Sequence, residues 1–204
     1  SSAVVELWAA EVAGAYGREV SRVLKELDPH HLNLGVRFAG DAPDPVLKAL
    51  GPSCDVISLN YYRRGGPVSF RHLQRIHELS GQKPLMITEF SWRAQQNRSG
   101  LRNSRGSNVT VSTQSERADR CRKYLESLLS TPFVLGYHYF MLFDQSPGGR
   151  TFDGEDSNYG LVDLKDREYT ELAGTLREMN GKAFALHAAS QALPPRPHSS
   201  PTTA

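Results

Sequence analysis

The chain is poor in the features that would assign it quickly. Cysteine occurs only twice in 204 residues, at Cys54 and Cys121. Neither has metal-ligand spacing and no His/Cys cluster accompanies them, so no metal site is expected. Both stand in apolar stretches and read as buried free thiols rather than as a disulfide. No apolar run approaches the ~20 residues that cross a bilayer, so no membrane partner is expected. Charge of one sign is also lacking: Lys and Arg number 24, Asp and Glu 22, a formal net charge of +2. With no basic block, nucleic acid is not expected as a partner. The start, Ser1-Ser2-Ala3-Val4-Val5-Glu6, has no initiator Met, no basic region and no long apolar stretch. It reads as a processed or excised piece without a signal peptide of its own.

What the chain does have is apolar residues, 39% of the total, set at regular spacings. Across residues 3–27, Val4, Leu7, Trp8, Val12, Tyr16, Val20, Val23, Leu24 and Leu27 recur at helical spacing and predict a long amphipathic helix. Asp28-Pro29 ends it, because the residue before Pro disfavours the helical region. Further helices are expected over 44–50, 69–80, 113–129 and about 167–186, and strands over 31–38, 54–62, 85–89 and 133–143. Pro45 falls in the first turn of one helix and Gly81 just past the end of another. Two long polar loops, about 93–112 and 144–160, each follow a strand. Loops of that length in compact domains are commonly functional. Helices alternating with buried strands predict a parallel α/β sheet with helical crossovers. The pattern matches a (β/α)8 TIM-type barrel of which only about the last four βα units are present, since the first helix has no strand before it. On this reading residues 1–186 form the C-terminal half of a barrel, and the Pro/Ser-rich 187–204 is a tail without fixed structure.

The strand Leu85-Met86-Ile87-Thr88-Glu89 is opened by Pro84 and ends on a carboxylate. Burying a carboxylate is costly unless it is paired. In a (β/α) barrel that strand end is where catalytic groups sit, so Glu89 is the first candidate for chemistry. The other strand ends offer Arg37, then Asn60, Tyr61 and Tyr62, then Trp92, then His138, Tyr139, Asp144 and Gln145; the last loop adds Asp153, Glu155 and Asn158. Carboxylates among aromatics suit a carbohydrate: aromatic faces stack on pyranose C–H patches while Asn, His, Asp and Arg bond its hydroxyls. Structural roles compete with this. Glu89 would be explained by pairing with Arg37 or a loop Arg, Trp92 by loop packing, and His138 by a core position. Asp144, Asp153 and Glu155 would be explained by holding the last loop. Asn97-Arg98-Ser99 and Asn108-Val109-Thr110 match the glycosylation sequon, a short pattern that arises readily by chance.

Several segments share one resemblance. Ile87-Thr88-Glu89-Phe90, the strand from Asp55 to Tyr62, and Gly136-Tyr137-His138-Tyr139-Phe140 running on to Asp144-Gln145 resemble the C-terminal half of a retaining (β/α)8 glycoside hydrolase of the agarase-like and β-galactosidase-like group. Asp28-Pro29-His30-His31-Leu32 and the stretch from Asp153 to Asp163 resemble the same group, so the similarity covers nearly all of residues 20–180. It implies that Glu89 ends the seventh strand as nucleophile and that Tyr62 or Tyr61 touches it. It implies that Tyr139 stands where an aromatic, often Trp, lies under the sugar. Arg37, Asn60, Trp92, His138, Asp144, Gln145 and Glu155 are the other expected substrate contacts. No cofactor is implied. The acid/base Glu of such enzymes follows an Asn at the end of the fourth strand. Here the early acids Glu6, Glu11, Glu19 and Glu26 all lie on the opening helix, so the chain alone is expected to be a very poor catalyst. The implied substrate is a β-galactosidic polysaccharide or oligosaccharide. The competing reading is a catalytically incomplete carbohydrate-binding module or pseudoenzyme remnant. Open edges of a half-barrel predict self-association. Polysaccharide-degrading enzymes are often exported, which favours an extracellular or periplasmic location.

Overall fold

A computed structural model describes residues 2–106 and 108–192. The elements run α1 (Ser2–Leu27), α2 (Asp44–Leu50), β1 (Ile57–Asn60), α3 (Phe70–Leu79), β2 (Leu85–Glu89), β3 (Arg93–Ala94), β4 (Thr110–Val111), α4 (Gln114–Leu129), β5 (Val134–Tyr137) and α5 (Thr170–Gln191). The helix starts are written in the sequence. Ser69 Oγ accepts the backbone N–H of His72 to open α3. Thr113 Oγ1 accepts the N–H of Glu116 to open α4, while the Glu116 carboxylate reaches back to the N–H of Ser112. These are N-caps, the second close to a capping box.

β2 lies between β1 and β5 in a three-stranded sheet, and both pairings are parallel, with Leu59 opposite Ile87 and Ile87 opposite Tyr137. Parallel neighbours need crossovers, and α3 and α4 supply them. Along β2, Leu85 and Ile87 are fully buried while Met86 and Thr88 are only partly covered. One face of the sheet therefore carries the core. There Leu73 of α3, Cys121, Tyr124, Leu125 and Leu128 of α4, and Leu172 of α5 are fully buried. Both cysteines are buried and unpaired.

The structure departs from the sequence reading in four places. The described residues form a three-stranded parallel α/β sheet rather than four strands, and they do not close a barrel. Residues 31–38 are not a strand. Only Phe38 pairs, donating to Ser58 O and accepting from Asn60 N along the outer edge of β1. Gly35, at φ +67°, breaks the extended path just before it, in a conformation that favours glycine. The predicted 133–143 strand is reduced to Val134–Tyr137; past it only single bonds from His138 N–H to Ile87 O and Phe140 N–H to Phe90 O reach the β2 segment, while Met141 turns to bond Tyr159 O. Finally, α5 continues to Gln191 rather than ending near 186, so residues 187–191 of the expected tail are helical. Residues 193–204 of that tail lie outside the described residues.

The apolar stripe of α1 is real but faces the wrong way. Val4, Leu7, Trp8, Val12 and Tyr16 are exposed, Trp8 at 68%. The helix packs on α2 through its small residues, with Ala10 against Val46 and Leu50. Gly17 allows this approach, since a Cβ there would meet Leu50 Cδ2 at 2.8 Å. Among the described residues no helix is long and apolar enough to cross a membrane.

Candidate functional site

Glu89 ends the central strand, and its partners come from the chain segments beside it. Tyr62 Oη donates to Glu89 Oε2 at 2.8 Å, and Arg37 Nη1 lies 2.8 Å from Oε1. The carboxylate side chain keeps 17% of its exposure, so one face stays open. A register shift in β1 between Leu59 and Asn60 lets Tyr61 N–H donate to Glu89 O at 2.9 Å, which brings the two strand ends level. Thr88 Oγ1 donates to Asn60 Oδ1 at 3.1 Å and holds that amide at the rim. Burial pushes the Tyr62 phenol well up, and its hydrogen bond to the Glu89 carboxylate pushes the same way. Tyr62 therefore stays protonated and keeps donating to a carboxylate gripped from two sides.

Glu89 opens into a cleft of about 430 Å³ walled by Asn60, Tyr62, Phe140, Glu155 and Tyr159, with Arg63, Arg64, Asn108 and Arg150 around them. The partly exposed Phe140 ring offers an apolar surface beside the polar groups, and the buried Tyr159 ring backs it edge-on at 5.4 Å and 68°. Glu155, the second carboxylate in this cleft, is fully engaged. Gln145 Nε2 donates to it at 2.7 Å, Tyr159 Oη at 2.9 Å, and Arg150 Nη2 pairs with it at 2.7 Å. Burial and the Glu155 charge push the Tyr159 phenol up, so it too remains a donor.

Several expected substrate contacts stand elsewhere. Trp92 is fully buried and donates Nε1–H to Arg63 O at 2.9 Å, so it is core packing rather than a sugar platform. Tyr61 is 8% exposed and stacks on His72 at 4.9 Å; of the two tyrosines, Tyr62 alone reaches Glu89. Tyr139 packs edge-on against Phe90, and its hydroxyl accepts from Arg117 Nη2 at 2.8 Å; burial pushes this phenol up to about 12. His138 is exposed and not on the cleft wall; its backbone N–H continues the β5 pairing to Ile87 O. Asp144 is buried and has all its accepting directions filled, by Asn158 Nδ2, Gly160 N, Ser99 Oγ and Tyr169 Oη. Gln145 acts behind Glu155, accepting Ser157 N–H at 2.7 Å while donating to the carboxylate. Both are loop-holding groups.

Arg63, Arg64, Asn108, Phe140, Arg150 and Tyr159 line the cleft, and the sequence reading did not select them. Arg63 and Arg64 follow Tyr62 directly, and position just after a strand end was a signal for them. Arg150 has no such signal, since the fold of the last loop alone carries it to Glu155. Among the described residues no group of three or more His, Cys, Asp or Glu side chains is placed to hold a metal ion. The arrangement offers one oriented carboxylate with an open face, amide and guanidinium donors, and an aromatic surface at Phe140. That combination can bind a sugar and attack its anomeric carbon.

No family model matches the chain. Similar proteins include beta-agarase B of Vibrio sp. (strain JT0107), 32% identical over 177 residues, which is 86% of this chain and 18% of the relative. Beta-agarase A of the same strain is 32% identical over 179 residues, with the same coverage of 86% and 18%. The chain thus spans under a fifth of the length of these relatives. Among solved structures, an exo-beta-agarase superimposes with a TM-score of 0.77 at 29% identity, over 87% of this chain and 23% of that one. BpGH50 does so with a TM-score of 0.80 at 26% identity, over 93% and 39%. A β-D-glucuronidase at 21% identity and a TM-score of 0.53 shares the fold alone.

Proposed function

Because this chain is homologous to one segment of the beta-agarases, we propose that it supplies the nucleophile side of a retaining glycoside hydrolase acting on agarose-type galactans. The observation that carries the reading is Glu89 itself, a carboxylate at the end of the central strand that opens into a cleft while Tyr62 and Arg37 hold its two oxygens. Glu89 attacks the anomeric carbon of a β-galactosyl unit and forms a glycosyl-enzyme. A carboxyl group outside this chain protonates the leaving oxygen and then activates the water that releases the sugar. In retaining enzymes the two carboxyls stand about 5–5.5 Å apart. Glu155 does not fill that role, because Gln145, Tyr159 and Arg150 already occupy its oxygens. Tyr62 and Arg37, one on each carboxylate oxygen, hold the nucleophile in a fixed orientation. The Asn60 amide bonds a hydroxyl, and Phe140 meets the C–H face.

Residues 1–186 act as the C-terminal half of a (β/α)8 barrel. Three parallel strands with helical crossovers and two open sheet edges support closure by further strands. The test is Glu89→Gln in the complete barrel, this chain joined to the strands that close it. Loss of agarose hydrolysis by about 10⁴-fold, the scale seen when one group of a covalent mechanism is removed, is expected. Unchanged turnover of agarose and of an aryl β-galactoside would overturn the assignment.

A further inference from the structure

The cleft at Glu89 does not end there. A second cavity of about 570 Å³ shares Asn60, Tyr62 and Arg63 with it and extends to Asp41, Ser69 and His72. The two cavities meet at Arg63, and Arg64 stands beside the junction on the wall of the first.

Charge is balanced everywhere along the first cleft except at that junction. Arg37 is paired with Glu89, and Arg150 with Asp153 and Glu155. Among the described residues neither Arg63 nor Arg64 has an acidic partner. Asp41, on the far wall of the second cavity, lies 3.0 Å from His72 Nε2. Arg120, itself balanced by Glu116 at 3.3 Å, donates to Arg64 O at 2.9 Å and fixes the backbone there. Arg63 is also held in place. Its carbonyl accepts from the buried Trp92 indole, its Nε donates to Pro67 O at 3.3 Å, and its guanidinium sits 5.7 Å from the Tyr61 ring centroid. Held on this side by Pro67 and Tyr61, the guanidinium is positioned before a ligand arrives, and its remaining N–H donors meet one at little entropic cost.

Hydroxyls of a neutral galactan need no net charge to bind them, and asparagines and aromatics suffice. Two unneutralised guanidinium groups in a half-enclosed cleft favour an anion, and their planar forks match the oxygens of a sulfate ester or carboxylate. We propose that the junction at Arg63 and Arg64 is a subsite for an anionic substituent on the galactan, one sugar unit or more away from the unit at Glu89. The inference rests on the galactan reading above and narrows it to charged agar-type chains.

Calorimetry on the complete barrel, this chain joined to the strands that close it, with three oligosaccharides of equal length tests it: a neutral agaro-oligosaccharide, one bearing a sulfate ester and one bearing a carboxylate acetal. At least one anionic probe is expected to bind roughly tenfold tighter than the neutral one, and which of the two does so identifies the substituent. Arg64→Gln changes an exposed side chain whose residue is tied to the fold only through its carbonyl, so folding is retained. It should bring the anionic-to-neutral affinity ratio down towards one, and Arg64→Lys should restore part of it. Rising salt should lower the same ratio. Equal or weaker binding of both anionic probes, with the neutral one still bound, overturns the subsite and leaves the galactan reading standing. A folded barrel that binds none of the three overturns both.

Discussion

Replacing Asp144 with alanine is the sharpest structural perturbation available next to the cleft. Asp144 is 4% exposed and accepts four hydrogen bonds: Asn158 Nδ2 at 2.7 Å, Gly160 N at 2.9 Å, Ser99 Oγ at 2.7 Å and Tyr169 Oη at 2.8 Å. The two hydroxyls can rotate towards other acceptors. The two N–H donors cannot, because one belongs to the main chain and the other to a fully buried amide. An unsatisfied buried donor costs roughly 1–3 kcal/mol, so two give about 2–6 and a central value of about 4 kcal/mol. That is a large share of the ~5–15 kcal/mol by which a domain is stable. Asp144→Asn should cost much less, about 1–2 kcal/mol, because its oxygen still serves Asn158 and Gly160 while its amide donates to the two hydroxyls. Urea unfolding of wild type and both variants reads the difference directly, with the slope unchanged. An alanine variant within about 1 kcal/mol of wild type, or an asparagine variant as unstable as the alanine one, would refute the account of Asp144 as a saturated acceptor.

Other expectations follow from the same coordinates. Burial pushes the phenols of Tyr137 and Tyr139, normally near 10, and the thiol of Cys121, normally near 9, up to about 12. The folded state then holds protons that the unfolded chain has released, so stability is full below about pH 9 and falls as pH rises to about 12. Urea midpoints that stay flat across that window would contradict the burial of these groups. Gly160→Ala would drive a Cβ into Val162 O and Asp144 N, both backbone atoms that cannot turn aside. A loss of about 1–3 kcal/mol or more is expected in thermal unfolding, and a silent substitution would show that the loop after Asp144 is not packed as described.

The helices and the central strand were legible because their signals are local. Ser69 and Thr113 mark helix starts in the sequence and cap them in the structure. Leu85 to Glu89 was readable as a strand from its apolar run and the Pro before it. Residues 31–38 failed because alternation supplies a strand's faces and not its partner. Leu32, Leu34 and Val36 have no second layer to bury against and remain exposed. The site divided on the same line. Glu89, Asn60 and Tyr62 stand at or just past the ends of β1 and β2, and Arg37 reaches Glu89 although its expected strand is absent. Trp92, Tyr61 and Tyr139 were selected by the same strand-end rule, and position at a strand end does not say which face a side chain takes. The last turns of those strands twist their rings towards α3 and α4, where Trp92 meets Tyr124 at 5.6 Å and Tyr139 meets Arg117. Glu155 joined the cleft through a loop whose path depends on buried polar pairings, such as Asp144 with Asn158, that no periodicity reports.

The segment carrying Arg37 is held to the sheet by the Phe38 backbone bridge, by Leu34 O to Ser58 Oγ and by Arg37 to Glu89, and beyond the sheet by Asn33 to Asp55 and Ser53. Such a segment opens at a lower free energy than the core strands around Ile87. Each opening detaches the guanidinium from Glu89 while the sheet, α4 and Tyr62 stay folded. The orientation of the carboxylate is then expected to loosen below the melting temperature of the fold, and warming, or a mutation that loosens residues 31–38, should free the Glu89 side chain from Arg37 before the circular dichroism changes.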